Sequence, residues 1–189
     1  MNYVKIIIFL LTSYLISSYL LSRDRYTVDL TNNQTELVAQ VVPERPKPFN
    51  RFFFIMGLLE SNNNYLALNR FGYMGRYQFE TSTLRHLKSK GYLSITEEEI
   101  VAYRYLKTVQ ERSMRSLTYH NMDVLRRYGL MGYIGQDIGV VRISLYGMLA
   151  AAHLVGPKAV NKYIKSNGEL IAKDGNGTTV VNYMKEFAI

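Results

Sequence analysis

The pattern of hydrophobic and polar positions divides the chain into an apolar N-terminal stretch, a polar segment and a long remainder with helical periodicity. Residues 6–21 are apolar and uncharged, and they lie between Lys5 and a charged flank that begins at Arg23. Such a stretch of about 16 residues is close to the lower limit of about 17 for a membrane-spanning helix. We therefore predict an uncleaved signal anchor or transmembrane segment over residues 1–22. A cleaved export signal and a buried core helix are the alternatives.

Residues 23–50 have the composition of a linker. The segment is polar, and Pro43, Pro46 and Pro48 disfavour a regular helix and favour extended backbone. At 189 residues and 48% hydrophobic content, the chain suffices for one domain of ordinary size with a packed core. We predict that the linker leads into a single domain over residues 51–189.

The remainder of the chain reads as mainly helical. Apolar residues recur at three and four positions, and Ser, Thr, Gly and Pro mark helix ends. Thr96 and Glu99 form a capping box that predicts a long helix, with Glu111 on its solvated face. Ala150, Ala151 and Ala152 indicate a central buried helix. The other predicted helices cover residues 51–60, 79–90, 121–128, 142–155 and 157–166, and a last one is capped by Thr178 or Thr179 and runs through Phe187.

Charge and composition narrow the possible functions. A net charge of +8 favours polyanionic surroundings such as nucleic acid, anionic lipid or cell-envelope polymers. The basic clusters lack regularly interleaved aromatic residues, so no nucleic-acid partner is predicted. The absence of cysteine excludes disulfides and thiolate metal sites, and the three histidines lack ligand spacing. We predict neither a metal nor a cofactor, and the sequence leaves the oligomeric state open.

Glu60 is the strongest candidate for chemistry. It ends the apolar run FFFIMGLLE, where burial would raise its carboxyl pKa and keep it protonated as a general acid. The segment that follows is dense in asparagine and tyrosine, a mixture that suits a saccharide cleft. The competing interpretation is a helix-terminal carboxylate paired with an arginine.

Three segments resemble a known family. ES with NYLALNRFGYMGRYQF, then RISLYGMLAAAHLVGPKAVNKYI, then DGNGTTVVNYMKEF resemble lysozyme-like peptidoglycan lytic transglycosylases, especially phage and bacterial proteins with an ESGGNY…GY-G-YQF pattern. The resemblance covers about residues 52–188. It implies a mainly α, goose-type lysozyme or soluble lytic transglycosylase-like domain, here with an N-terminal membrane helix. Asn62 and Asn63 replace the usual double glycine, which leaves the path of that loop open.

The same resemblance assigns roles to individual residues. It implies that Glu60 is the catalytic acid, that Ser61 supports it and that Gln78 is a cleft glutamine. Tyr73 and Tyr77 would be wall residues. The residues expected to bind substrate are Ser61, Tyr73, Tyr77, Gln78 and His153. His153 would lie on a buried helix that faces the active site.

The reaction implied is cleavage of peptidoglycan glycan strands between N-acetylmuramate and N-acetylglucosamine. Most glycosidases need a second carboxylate, yet none lies between Glu60 and Gln78, and Glu80 is explained by its place at a helix start. A single carboxylate fits lytic transglycosylation, in which the muramate 6-hydroxyl attacks and a 1,6-anhydro end forms. Asp123, Asp137 or Asp174 could still fold into the cleft.

Two alternatives stay open, a hydrolytic muramidase of the phage endolysin type and a non-catalytic wall-binding module. In every case the expected partners are glycan strands and, through residues 1–22, a membrane. We expect a bacteriolytic or wall-remodelling domain in the periplasm or cell envelope, in a phage or bacterial setting.

Overall fold

Seven α-helices, two 3-10 helices and one small hairpin make up residues 48–188, the part of the chain that the computed structural model describes. The predicted mainly helical fold is confirmed. The α-helices are α1 (Pro48–Ser61), α2 (Thr81–Ser89), α3 (Glu97–Val101), α4 (Lys107–Arg127), α5 (Leu145–Val155), α6 (Pro157–Lys165) and α7 (Val180–Glu186). The 3-10 helices are Tyr103–Tyr105 and Leu130–Tyr133, and β1 (Asp137–Ile138) pairs antiparallel with β2 (Val141–Arg142).

The predicted N-terminal anchor over residues 1–22 and nearly all of the predicted linker over residues 23–50 lie outside the described residues. Helix α1 begins at Pro48, three residues before the expected domain start, and proline is well suited to a first helical position. A search of residues 48–188 finds no helix with the length and apolar content needed to cross a bilayer.

Helix α1 carries the first layer of the core and ends in a cap made by two asparagines. Phe52 and Met56 are fully buried in it. The backbone N–H groups of Asn62 and Asn63 donate to the carbonyls of Leu58 and Gly57 at 2.9 and 2.8 Å, while both asparagines have left-handed φ values of 56° and 58°. Asparagine tolerates this conformation better than most residues, which explains how it can stand where the family pattern has glycine.

Helix α5 is the central helix that the sequence predicts. Ala150, Ala151 and Ala152 are buried, and α4, α6 and α7 pack around the helix. It starts at Leu145, three residues later than predicted, because Arg142 belongs to the hairpin. The Ser144 hydroxyl caps it, accepting from the Gly147 N–H at 2.9 Å and donating to the Phe187 carbonyl at 2.9 Å. That contact ties the start of α5 to the end of α7.

The long helix predicted from Thr96 is interrupted. The Thr96–Glu99 capping box is present, but α3 ends at Val101. The buried Gln110 amide donates to the carbonyls of Tyr103 and Arg104, each at 3.1 Å. A continuous helix would pair those carbonyls with backbone N–H groups, so the side chain replaces one turn of helix. Helix α4 then begins at Lys107 and continues through the region predicted as a separate helix over residues 121–128, ending at Arg127.

The last two helices start where the sequence predicts. Pro157 opens α6 at its first position. Thr179 caps α7, in a capping box with Asn182. Both helices pack on α5, so the C-terminal part of the chain closes around the central helix.

Candidate functional site

The Glu60 side chain lies in the last turn of α1 and opens onto a cleft. Its side chain is 15% exposed, and one carboxylate oxygen, Oε1, accepts the Tyr183 hydroxyl proton at 2.7 Å. Burial raises the pKa of Glu60 from 4.5 to about 7; the Tyr183 hydrogen bond opposes this, and the charge of Asp174 adds to it. Burial of Glu60 thus has the effect on its pKa that the sequence predicts, and no arginine pairs with the carboxyl group among the described residues.

The cleft has a volume of about 440 Å³ and a mixed polar and aromatic wall. A second cavity of about 290 Å³, the side recess, adjoins it. The cleft is lined by residues from four parts of the fold: Leu59, Glu60, Asn69, Phe71, Tyr73, Gln78, Glu80, His153, Leu154, Asp174, Gly175, Asn176, Thr178 and Tyr183. Tyr73, Gln78, Glu80 and His153 line both cavities. These shared residues mark the boundary between cleft and side recess.

Tyr73 and Gln78 both lie in the cleft wall, where the resemblance puts them. Tyr73 and the nearby Phe71 are exposed in this wall, where an aromatic ring can stack on a sugar. The Arg70 guanidinium lies over the Phe71 ring, 4.7 Å from its centroid. Gln78 has a left-handed φ of 50°, and its side-chain amide donates to the Gly75 carbonyl at 2.9 Å. An unfavourable backbone conformation in a cleft residue is typical of a functional position.

Tyr77 lies elsewhere than the sequence predicts. Its ring is fully buried, and its hydroxyl donates to the Glu111 carboxylate, with oxygens at 2.9 and 3.0 Å. It therefore cannot be a wall residue, and its role is structural. The alternation of side chains along the turn points Tyr77 inward and leaves Gln78 at the cleft.

Ser61 supports the loop after Glu60 rather than the carboxyl group itself. Its hydroxyl donates to the Arg76 carbonyl at 2.8 Å and accepts from the Asn64 N–H at 3.0 Å. These bonds hold the end of α1 against the turn that carries Gln78. Ser61 is thus a positioning residue in this structure.

His153, on α5, is where the resemblance implies, beside the acid. Its side chain is 8% exposed, and Nε2 is 3.7 Å from Oε1 of Glu60. Nε2 also lies 3.1 Å from the Tyr77 carbonyl, and burial lowers the pKa of the ring from 6.5 to about 4. A neutral imidazole therefore stands next to a neutral carboxyl group at pH 6.

A partly buried ion pair behind the cleft was not predicted from the sequence. Arg76 Nη1 lies 2.7 Å from Glu111 Oε1, and the same carboxylate accepts the hydroxyl protons of Tyr65 and Tyr77. Glu111 was expected to be solvated, which is wrong, since helix α4 packs its side chain under the 65–77 segment. Arg76 Nε also donates to Asn63 at 2.8 Å, so the network fixes the loop that follows Glu60.

The cleft contains two further carboxylates. Asp174 lies in its wall beside Tyr183, and its Oδ1 accepts the N–H groups of Asn176 and Thr178 at 2.9 and 2.8 Å. Glu80 stands at the start of α2 and also lines the cleft. No acidic residue lies between Glu60 and Gln78 in the sequence, but the fold brings Glu80 and Asp174 into the cleft with Glu60.

The other two candidate acids lie away from the cleft. Asp123 accepts the Tyr92 hydroxyl proton at 2.8 Å, and Asp137 faces Arg142 in the hairpin at 3.4 Å. Within residues 48–188, no group of three or more histidine or acidic side chains lies close enough together to hold a metal ion.

Comparisons of the chain with protein-family models, with curated proteins and with solved structures gave no match. The resemblance to lytic transglycosylases therefore rests on the sequence segments themselves.

The chemistry available at the site follows from its geometry. Oε1 of Glu60 is engaged by Tyr183, and no described residue bonds Oε2. The proton of the neutral carboxyl group therefore belongs on Oε2, which is free to donate it to a bound molecule. A buried acid with one oxygen anchored and one free is suited to general acid catalysis.

Proposed function

We propose that this protein cleaves peptidoglycan glycan strands between N-acetylmuramate and N-acetylglucosamine, with Glu60 as general acid and base. One observation carries the proposal: Glu60 is buried, has a pKa raised to about 7 and opens on a cleft with aromatic and amide walls. Sugars are bound by such walls. The proposed fold relationship is to goose-type lysozymes and soluble lytic transglycosylases, in keeping with the mainly helical domain.

The proposed reaction begins with proton transfer from Oε2 of Glu60 to the glycosidic oxygen. The bond from that oxygen to C1 of N-acetylmuramate breaks, and positive charge develops on the sugar ring. The ionised Glu60 then takes the proton of the muramate 6-hydroxyl, whose oxygen attacks C1 and closes a 1,6-anhydro ring. Glu60 recovers its proton, and no water is consumed.

Hydrolysis is a second candidate because Asp174 shares the cleft with Glu60. In that reaction a carboxylate takes a proton from water, and the hydroxide attacks C1 while Glu60 protonates the leaving oxygen. The Oδ1 atom of Asp174 is held by two backbone N–H groups, so its position is fixed. If Asp174 is that base, Asp174→Asn abolishes reducing-end products, whereas transglycosylation continues without it.

The proposed setting is the cell envelope. A net charge of +8 favours binding to the anionic polymers of a bacterial wall. Residues 1–22 would hold the domain at a membrane, in a phage lysis, wall-entry or wall-remodelling role.

The test is clearing of purified peptidoglycan by the full chain. Glu60→Gln keeps the shape of the side chain and removes its acid function, so we expect loss of at least about a thousandfold in rate. The matched control is Glu97→Gln, which removes an exposed carboxylate outside the cleft lining and should leave clearing within about threefold. Equal clearing by wild type and Glu60→Gln contradicts the assigned role, and wall binding without clearing by the wild type supports a non-catalytic module.

A further inference from the structure

His153 stands between the acid and the turn that presents Gln78. The ring lines both the cleft and the side recess, on the wall that separates them. Its Nε2 atom faces two acceptors, the Tyr77 carbonyl at 3.1 Å and Oε1 of Glu60 at 3.7 Å. No role of a neutral histidine is needed for the reaction as described, so its burial there requires an explanation.

The tautomer of His153 follows from its partners. A backbone carbonyl can only accept a hydrogen bond, so the atom that faces Tyr77, Nε2, must carry the proton. The other ring nitrogen, Nδ1, is buried and has no hydrogen-bond partner among residues 48–188. The ring therefore offers one N–H donor, and both nearby acceptors compete for it.

The charge of Glu60 determines which of the two acceptors the His153 N–H bonds. While Glu60 is neutral, Oε1 is already satisfied by the Tyr183 hydroxyl at 2.7 Å, and the histidine N–H stays on Tyr77. After Glu60 gives up its proton, the carboxylate is the stronger acceptor because it is charged. A movement of a few tenths of an ångström brings Nε2 within hydrogen-bonding distance of Oε1.

We propose that His153 is a positioning residue whose single N–H moves from the Tyr77 carbonyl to Glu60 when Glu60 ionises. This movement would stabilise the Glu60 anion between the two proton transfers, and that purpose rests on the proposed function. It also links the acid to the cleft wall, because Gln78 directly follows Tyr77 and is held in a left-handed conformation. Release of the Tyr77 carbonyl would loosen that turn as the bond breaks.

Other ionisable groups also face the cleft or the side recess, and a test must distinguish their titration from that of Glu60. Tyr183 and Asp174 approach Glu60 from α7 and the turn before it, and Glu80 stands at the start of α2. His86 and His120 line the side recess next to His153.

The experiment is an NMR titration of the isotopically labelled full chain between pH 4.5 and 8.5. It follows the Glu60 side-chain carbon, the His153 ring nitrogens and the Tyr77 carbonyl carbon. We expect the Nε2–H tautomer at low pH, and shifts of the His153 Nε2 and Tyr77 signals with the midpoint of Glu60, about pH 7. Both shifts should disappear in Glu60→Gln, which removes the titrating group and leaves Tyr183, Asp174, Glu80 and the other histidines in place.

Two substitutions at His153 form a matched pair. His153→Gln keeps an N–H donor near the Nε2 position and should leave the Glu60 midpoint within about 0.3 pH units, whereas His153→Met, of similar length, should raise it by about one unit. In His153→Met the Tyr77 signal should no longer follow Glu60. An Nδ1–H tautomer in the wild type, or a Tyr77 signal that ignores the ionisation of Glu60, overturns the proposal, and both are read without any variant at position 153. The titration needs no activity, so lack of peptidoglycan cleavage would refute the proposed function alone.

Discussion

The hydroxyl of Tyr183 donates a 2.7 Å hydrogen bond to Oε1 of Glu60, and the two residues are 123 positions apart in the sequence. The bond joins the end of α1 to α7, and both residues line the same cleft. It stabilises the carboxylate form of Glu60 and so limits the rise in pKa that burial causes. Tyr183 thereby helps to set the pH range in which Glu60 carries its proton.

Tyr183→Phe should raise the pKa of Glu60, because it removes the donor and leaves burial unchanged. The alkaline limb of the rate profile for peptidoglycan cleavage should move to higher pH by about one unit. Tyr163→Phe is the control, since that hydroxyl is buried and donates to the Ile138 carbonyl, remote from Glu60. An identical alkaline limb in both variants would contradict the role given to Tyr183.

Glu60 and His153 should have opposite effects on stability between about pH 4 and 7. The native pKa of Glu60, about 7, lies above its ordinary value of 4.5, so its contribution is present below pH 4.5 and is lost as pH rises to 7. The native pKa of His153, about 4, lies below its ordinary 6.5, so its contribution grows over pH 4 to 6.5. Each change amounts to about 3 kcal/mol at 1.36 kcal/mol per pH unit.

Chemical denaturation at several pH values tests this opposition. In the wild type the two changes nearly cancel between pH 4.5 and 6.5. In Glu60→Gln only the His153 contribution of these two remains, and it should raise the free energy of unfolding by about 3 kcal/mol from pH 4 to 6.5. In His153→Gln it should fall by a similar amount from pH 4.5 to 7. Parallel pH profiles for the two variants would show that the native pKa values are not shifted as described.

Gln78→Gly should separate function from stability. Glycine adopts the left-handed φ of 50° without strain, so relief of strain and added chain entropy should leave the free energy of unfolding within about 1 kcal/mol. Cleavage should fall at least about tenfold, because the cleft loses the amide that we propose contacts substrate. Asn167→Gly is the control: its φ is 53°, and it lies outside the cleft lining. Equal activity of both variants would remove Gln78 from the site.

Glu111→Gln should destabilise the domain because it leaves the Arg76 guanidinium, which is only 13% exposed, without its anion. We expect a loss of about 2 kcal/mol in the free energy of unfolding. Glu97→Gln removes a carboxylate that also pairs with basic side chains but is 54% exposed, and it should have a much smaller effect on the free energy of unfolding. Similar losses in the two variants would mean that the network behind the cleft is no stronger than a surface ion pair.

The sequence predicts the features that depend on local pattern. The Thr96 and Thr179 caps, the start of α6 at Pro157 and the buried alanines of α5 all follow from residue types at short spacing. The apolar run before Glu60 likewise predicts its burial and the raised pKa. These properties need only the residues within a turn or two of the chain.

Features that depend on tertiary contacts could not be predicted. The break after α3 is due to the Gln110 amide, which bonds the Tyr103 and Arg104 carbonyls, and helical periodicity carries no sign of it. Glu111 has the spacing of a solvated residue, yet the 65–77 segment folds over it. Asp174 lies in the same cleft as Glu60 only because α7 returns to α1. The lack of a second carboxylate near Glu60 in the sequence therefore does not mean that the cleft lacks one.

The most direct test of the central claim is mass spectrometry of the soluble fragments released from purified peptidoglycan by the full chain. We predict muramyl ends in the 1,6-anhydro form, one water lighter than reducing ends, from the wild type and none from Glu60→Gln. Release of the same fragments by Glu60→Gln, or no release by a folded wild-type protein, would contradict the claim that Glu60 cleaves the glycan strand.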